Sequence, residues 1–279
     1  MITRAGQKIY DEKFDRREKA RHTVSYIEHG KYEYNGEIIR LKDYMYVSME
    51  KTQYYPHNTS VMVGYEETDC KIEVTKEKTH EALMRFDFDD DVVILNFASA
   101  KRAGGGWLRG AKAQEEDLAL SSSLFMCLKS KPDYYKDNIA KFPLYTDGII
   151  YSGRVPFFRD KDLEKCELYT GSVITCPAPN VSGNACFTND REIAKIINRR
   201  AKKILGVARL HNHKKIILGA WGCGVFNNDA KMVAKTFKKA LAEVGGFDYV
   251  CFAIYDQTND NTYNIFKEVF EQQNKEETV

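Results

Sequence analysis

At 279 residues, 43% hydrophobic and 29% charged, the chain is long enough to bury one large core or two small ones. Its 42 basic and 40 acidic residues leave a net charge of +2, so no overall electrostatic footprint for DNA or RNA exists and any polyanion must be gripped locally. No apolar run approaches membrane-spanning length and the stretch from Met1 to Glu18 is charged throughout, unlike a signal peptide, so a cytoplasmic protein is expected.

Residues 12–30 are polar and helix-friendly, with Val24 and Ile27 as apolar anchors and Gly30 as the stop. Asn35-Gly36, between Tyr32 and Ile38, predicts a hairpin through a type I′ turn. Tyr44 to Met49 alternates, and Tyr55-Pro56-His57 breaks the pattern. Residues 1–70 therefore read as an N-terminal α/β extension packed on a core of residues 71–279. From Lys71 strands and helices alternate. Strands are expected at Ile72–Val74, Val92–Phe97, Ile149–Tyr151, Leu168–Cys176, Lys215–Trp221 and Tyr249–Tyr255. Helices are expected at Lys78–Phe86, Gln114–Leu128, Asp190–Leu210 with Asp190 as N-cap, Asp229–Val244 and Thr262–Gln272, with the last six or so residues disordered. Such alternation predicts an α/β sheet covered by helices on both faces, with ligands beyond the carboxyl ends of the strands.

Two strand-to-helix connections are rich in glycine. The first holds Gly104, Gly105, Gly106 and Gly110 and is followed by Gln114-Glu115-Glu116 at the mouth of a helix; the second runs from Gly219 through Gly222, Cys223, Gly224, Val225, Phe226 and Asn227 to Asp229. Glycine lets backbone N–H groups approach an anion closely, and a helix N-terminus adds a favourable dipole. Neither loop matches a Walker A motif or the glycine spacing of a dinucleotide-binding turn, so each is also compatible with a plain tight turn. Together they suggest a diphosphate held from two sides.

Glu115 and Glu116 are neighbours on a helix, where side chains diverge by about 100°. They are not expected to flank a glycosidic bond as a pair of opposed carboxylates about 5 to 9 Å apart. One would serve as acid/base while the other anchors hydroxyls. The helix dipole favours the anion, whereas a general acid at neutral pH needs its pKa raised by burial or a nearby negative charge.

The remaining candidates read as structural. Cys166, Cys176 and Cys186 are evenly spaced, but no Cys-x-x-Cys pair exists and His211 and His213 are distant in sequence, so buried thiols are expected in place of a metal site. His211-Asn212-His213 reads as a helix-to-strand turn, Cys223 as a small residue in a tight loop, and Trp221 as core. Phe226 at the loop tip is open to either core packing or ligand contact, and Tyr255 and Asp256 end the last strand at the sheet edge where a ligand could lie, with a structural role the first expectation for both.

The triple glycine, seven residues and Gln114-Glu115-Glu116 resemble the signature of the poly(ADP-ribose) glycohydrolases, in their shorter bacterial-type branch. The likeness extends over nearly the whole chain. It takes in Leu95–Ala100, Pro143–Asp147, Val155–Arg159, Cys176–Asn180, Leu218–Phe226 and Phe252–Asp256. The resemblance implies a macrodomain-like three-layer α/β/α sandwich with a mixed central sheet. It implies an enzyme that hydrolyses ribose–ribose bonds of poly(ADP-ribose), mainly from chain ends, releasing ADP-ribose. Glu116 would be the acid/base and Glu115 and Gln114 would hold ribose hydroxyls or position the acid. Asn96 and Ser99 would lie against the ligand, Gly104–Gly106 and Gly222–Asn227 would embrace the diphosphate, and Phe226 would order the terminal ribose. No metal or cofactor is implied, the partners are poly(ADP-ribose) or ADP-ribosylated proteins as substrate, and a monomer is expected. Two departures stand out: Asn227 where many relatives carry glycine, and Ser99 where many macrodomains carry asparagine. A non-catalytic ADP-ribose reader and a mono(ADP-ribosyl)-protein hydrolase are the alternatives.

Overall fold

A computed structural model describes residues 4–61, 63–86, 91–183, 189–256 and 259–271. Cys186, Gln272 at the end of the last expected helix, and the tail expected to be disordered lie outside the described residues.

The chain opens with α1 (Arg4–His29), a hairpin of β1 (Lys31–Tyr34) and β2 (Glu37–Arg40), α2 (Lys42–Glu50) and β3 (Thr52–Tyr55). The hairpin turns at Asn35 and Gly36 with φ of 51° and 82°, the left-handed pair that Asn-Gly supplies at least cost. There follow β4 (Lys71–Thr75), α3 (Thr79–Met84), β5 (Val92–Phe97), a 3-10 turn at Trp107–Arg109, α4 (Gln114–Ser121), α5 (Leu124–Lys129) and α6 (Pro132–Ile139). The second half comprises β6 (Ile149–Arg159), β7 (Lys165–Cys176), α7 (Asp190–Leu210), β8 (Lys215–Leu218), α8 (Ala230–Val244), β9 (Tyr249–Ala253) and α9 (Asn261–Glu271).

Seven strands form one mixed sheet in the order β3-β6-β7-β5-β8-β9-β4. β7, β5, β8, β9 and β4 run parallel, while β3 and β6 are antiparallel to their neighbours. The period-two alternation of side chains divides the core between two faces. Val93, Leu95, Ile216, Leu218, Val250 and Phe252 pack under α7, α8 and α9. Val92, Ile94, Ile217, Cys251 and Ala253 pack under α3, α4 and α5, with Tyr134 of α6. The result is the expected three-layer α/β/α sandwich. β3, which precedes residue 70, pairs with β6 as an edge strand of this sheet.

Several expectations are corrected. Tyr44–Met49 lies in a helix: Met45 and Ser48 are its buried residues, at the three-residue spacing of one helical face. The helix expected over Gln114–Leu128 breaks at Ser122 and Ser123. Ser122 Oγ bonds the Leu118 carbonyl at 2.6 Å, and the Ser123 N–H donates to the Pro156 carbonyl at 3.1 Å, so serines divert the backbone to β6. The strand expected to end at Tyr151 runs on to Arg159, with a bulge between Ser152 and Val155 and Arg154 at φ 54°. α7 is capped by Asn189, whose side chain accepts from the Glu192 N–H at 3.0 Å, one residue before the expected Asp190. β8 and β9 end earlier than expected, at Leu218 and Ala253. Beyond β8, Gly219 passes so close to Ala253 that an added Cβ would stand 2.7 Å from its carbonyl oxygen.

Candidate active site

β5 ends at Phe97, and α4 returns its N-terminus to that point. Gln114 fastens the two. Its Oε1 accepts from the Phe97 N–H at 2.8 Å, and its Nε2 donates to the Leu95 carbonyl at 2.7 Å and to Thr79 Oγ1 at 3.0 Å. With both amide ends engaged, Gln114 acts on the local backbone as a clip.

Glu115 is buried. Its Oε2 accepts from the Ser99 N–H at 2.6 Å, and Asn96 Nδ2, itself 3.2 Å from Thr175 Oγ1, approaches Oε1 at 3.5 Å. Burial drives its pKa well above the usual carboxylate range, against the pull of the Ser99 N–H and with the push of Glu116. Ser99 Oγ is spent on its own turn, accepting from the N–H groups of Lys101 and Arg102 at 3.2 Å each.

Glu116 Oε1 accepts from the Gly106 N–H at 2.8 Å, while Oε2 has no hydrogen-bond partner among the described residues. The two carboxylates do not diverge as neighbouring helical positions suggest. Both come to rest over Gly105, where an added Cβ would collide with Glu116 Oε1 and lie 3.1 Å from Glu115 Oε2. Gly105 also has φ 61°, so this position demands glycine twice over.

α1 braces the loop from behind. Arg16 donates from Nε to the Ala111 carbonyl at 3.0 Å and pairs through Nη2 with Asp117 at 2.8 Å; both residues are buried. Arg17 Nε donates to the Arg109 carbonyl at 3.2 Å, and Thr23 Oγ1 to the Leu120 carbonyl at 2.7 Å. Gly110, at φ 74°, lies under the helix: an added Cβ would stand 2.5 Å from the Lys13 carbonyl oxygen.

The second glycine loop leaves β8 at the same end of the sheet. Asn228 anchors its base, donating from Nδ2 to the carbonyls of Pro179 at 2.9 Å and Gly222 at 3.0 Å. Gly222, at φ 79°, is pressed against Ala178, and Asn227 adopts φ 57°. Phe226 packs on Tyr145 with ring centroids 5.8 Å apart. At the tip Val225 is 78% exposed, and nothing lies within 4 Å of a Cβ added to Gly224. Trp221 is core, as expected, and donates to the Cys176 carbonyl at 3.0 Å. Burial pushes the Cys223 thiol up to about 12, which disqualifies it as a nucleophile at neutral pH.

A cavity of about 680 Å³ opens between these elements. Gln114, Phe97, Gly222–Phe226, Tyr255 and Asp256 line it; Asn96, Ser99, Gly104–Gly106, Glu115 and Glu116 do not, and the acid pair sits just past Gln114. Part of the wall was not anticipated. Glu77, Lys78, Thr79 and His80, at the junction of β4 and α3, form one side, with Lys112 and Thr262 at other edges. No motif marks them; the side-by-side placement of β4 and β9 brings them there.

His211 and His213 stand away from this cavity. His211 stacks on Tyr151 with centroids 3.5 Å apart, and His213 bonds the Tyr151 hydroxyl at 2.9 Å. Glu73, Glu77 and Cys251 are grouped closely enough to suggest metal ligands. The Arg85 guanidinium sits among them, 2.7 Å from Glu73, 2.9 Å from Glu77 and 3.4 Å from the Cys251 sulfur, and supplies the positive charge itself.

The model of the family described as microbial-type PARG, catalytic domain (PARG, poly(ADP-ribose) glycohydrolase) matches residues 20–160. The chain is similar to the poly(ADP-ribose) glycohydrolase of Thermomonospora curvata, at 35% identity over 92% of this chain and 100% of that one, with a TM-score of 0.86. A structure of the Thermomonospora enzyme bound to the inhibitor ADP-HPD matches at 36% identity over 92% of this chain and 100% of that one, TM-score 0.83. The Deinococcus radiodurans enzyme in complex with ADP-ribose matches at 34% identity over 84% of this chain and 100% of that one, TM-score 0.74. No match was found among curated proteins.

Proposed function

We propose, from the premise that this chain belongs to the microbial-type poly(ADP-ribose) glycohydrolase family, that it hydrolyses the ribose–ribose bonds of poly(ADP-ribose) and releases ADP-ribose. One observation carries the reading: a helix-mouth carboxylate, Glu116, held by the Gly106 N–H on one oxygen and open on the other, beside a cavity of about 680 Å³. A cavity of that size suits a single ligand unit, which supports work mainly from chain ends.

In this mechanism protonated Glu116 delivers its proton from Oε2 to the departing ribose oxygen as the glycosidic bond breaks, leaving an oxocarbenium-like anomeric carbon. The resulting carboxylate takes a proton from the water that attacks that carbon, which restores the acid and yields ADP-ribose with a free hydroxyl. Burial pushes the pKa of Glu115 up, which lessens the charge it sets beside the acid, while its bond from the Ser99 N–H holds it in place. Gln114, Asn96 and Ser99 act by fixing backbone and Glu115. Gly224, Val225 and Phe226 offer N–H groups to the diphosphate, whereas those of Gly105 and Gly106 are spent on Arg102 and Glu116, so the first loop seats the acid; Phe226 packs against the terminal ribose. The reaction belongs to a cytoplasmic monomer whose six described cysteines are free thiols; no described helix is long and apolar enough to cross a membrane.

The test uses automodified polymerase as substrate. The wild-type protein releases ADP-ribose, and Glu116→Ala lowers the rate by about two to four orders of magnitude. Wild type that binds without turnover, or a variant equal to it, overturns the reading. Loss of the last protein-linked unit on long digestion identifies a mono(ADP-ribosyl)-protein hydrolase instead.

A further inference from the structure

The near-neutral net charge conceals a strong local asymmetry. α7 and α8 together hold eleven basic and three acidic residues, while the rest of the chain holds 31 and 37. The outer faces of these two helices enclose a groove of about 670 Å³ lined by Arg191 and Lys195 on one side and Lys231, Lys235 and Lys239 on the other. The three lysines of α8 recur every fourth residue, a row with a rise of about 6 Å per step.

The acids near the groove do not neutralise it. Asp229, the one acidic residue in its lining, is committed to the α8 N-cap, accepting from the Met232 N–H at 2.6 Å. Lys195 pairs with Glu192 at 2.7 Å, Lys231 with Glu268 at 4.0 Å and Lys239 with Glu243 at 3.9 Å; these are exposed contacts that a phosphate can replace at little cost. Lys235 has no ion pair or hydrogen bond with any described residue.

Position gives this charge a purpose. α7 and α8 return the chain to parallel strands of one sheet, so their N-terminal ends, from which the groove runs, stand at the carboxyl end of the strands with the candidate active site. Asp229 follows Phe226 of the cavity wall by three residues.

We propose that this groove is a second binding site for the polymer, holding diphosphates of units still attached to the chain while the terminal unit occupies the cleft. The proposal rests on the hydrolase reading, and it commits to poly(ADP-ribose) as occupant because that chain brings a diphosphate in every unit and already ends in the neighbouring cleft. A nucleic acid, with no terminal group for the cleft, would have only the groove to hold it against an otherwise acidic molecule.

Binding is measured in the Glu116→Ala background, where the polymer stays intact, with and without Lys195→Gln, Lys235→Gln and Lys239→Gln. The triple change weakens binding of long poly(ADP-ribose) about tenfold at low salt and lowers the slope of log affinity against log salt by about 2, from three lost contacts at about 0.7 each. Affinity for free ADP-ribose stays the same. Unchanged polymer affinity, or an equal loss for free ADP-ribose, overturns the proposal. So does a single-stranded oligonucleotide of equal phosphate number that binds as tightly as the polymer and loses affinity with the same three lysines; the groove is then a nucleic-acid site. Failure of the hydrolase reading shows separately, as absent ADP-ribose release by the wild type.

Discussion

The two glycine-rich loops share composition and position but are built for opposite mechanical ends. In Gly104–Gly110 the backbone is boxed in: two carboxylates lie over Gly105, Trp107 is buried, and α1 crosses Gly110. In Gly222–Asn227 the base is fixed by Asn228, while the tip at Gly224 and Val225 meets no protein. The difference teaches that glycine serves close approach in the first loop and leaves open space at the tip of the second. Under the proposed function that contrast has a use: an acid must be held still to transfer a proton along a defined line, whereas a loop that takes a diphosphate must first admit it.

Breaking the brace behind the first loop has the largest expected effect. Arg16→Ala leaves buried Asp117 without its nearest cation and lowers stability by about 3 kcal/mol, seen as a fall in Tm of roughly 6–10 °C. Arg16→Lys recovers only part, because it restores charge without the fork that also reaches Ala111.

The direct comparison comes next. Gly105→Ala puts a methyl into the carboxylate pair at a positive φ and lowers kcat about 100-fold, a loss of about 2.7 kcal/mol of transition-state stabilisation. Gly224→Ala, in open space, stays within about threefold of wild type. Equal sensitivity at the two glycines would erase the distinction between the loops.

Asn228→Ala then tests whether the second loop has a fixed base. Losing its bonds to Pro179 and Gly222 lowers stability by about 1–2 kcal/mol. KM for polymer rises several-fold with kcat nearly kept, since the acid is untouched.

The smallest effect is remote from both loops. Burial, helped by His213 and Lys51, lowers the pKa of His211 to about 4, whereas the unfolded side chain titrates near 6.5. Below about 6.5 the unfolded state binds the extra proton, so the stability is present above that pH and is lost as pH falls towards 4. His211→Phe retains a ring against Tyr151 and flattens this part of a denaturation-versus-pH profile, with activity at pH 7 unchanged.

Much of the parallel half of the sheet was legible because buried strands such as Val92–Phe97 are continuous apolar runs bounded by turn signals. The antiparallel half was harder to read. Ser152-Gly153-Arg154 has the composition of a loop, and only pairing with β7 holds it inside a strand. Ser122 and Ser123 look like tolerable helix residues until their bonds to Leu118 and Pro156 are seen. The candidate site divides in the same way: Gln114-Glu115-Glu116 and the glycines stand out as motifs, but Thr79 and His80 belong to the cavity only through the docking of β4 beside β9.

The sequence alone determined the strands and helices of the parallel half, the left-handed turn at Asn35-Gly36, and the triplet of amide and two acids behind three glycines. These are local properties, set by backbone sterics, side-chain period and short-range hydrogen bonding. Only the tertiary structure decided that Gln114 is a clip and Ser99 a backbone donor, that Glu115 and Glu116 converge on Gly105, and that Arg16 reaches Asp117 across 101 residues. It also gathered the lysines of α8 and the basic residues of α7 into one groove. Such features depend on which groups meet across the fold and on how far water is excluded between them, and neither is written in any short stretch of chain.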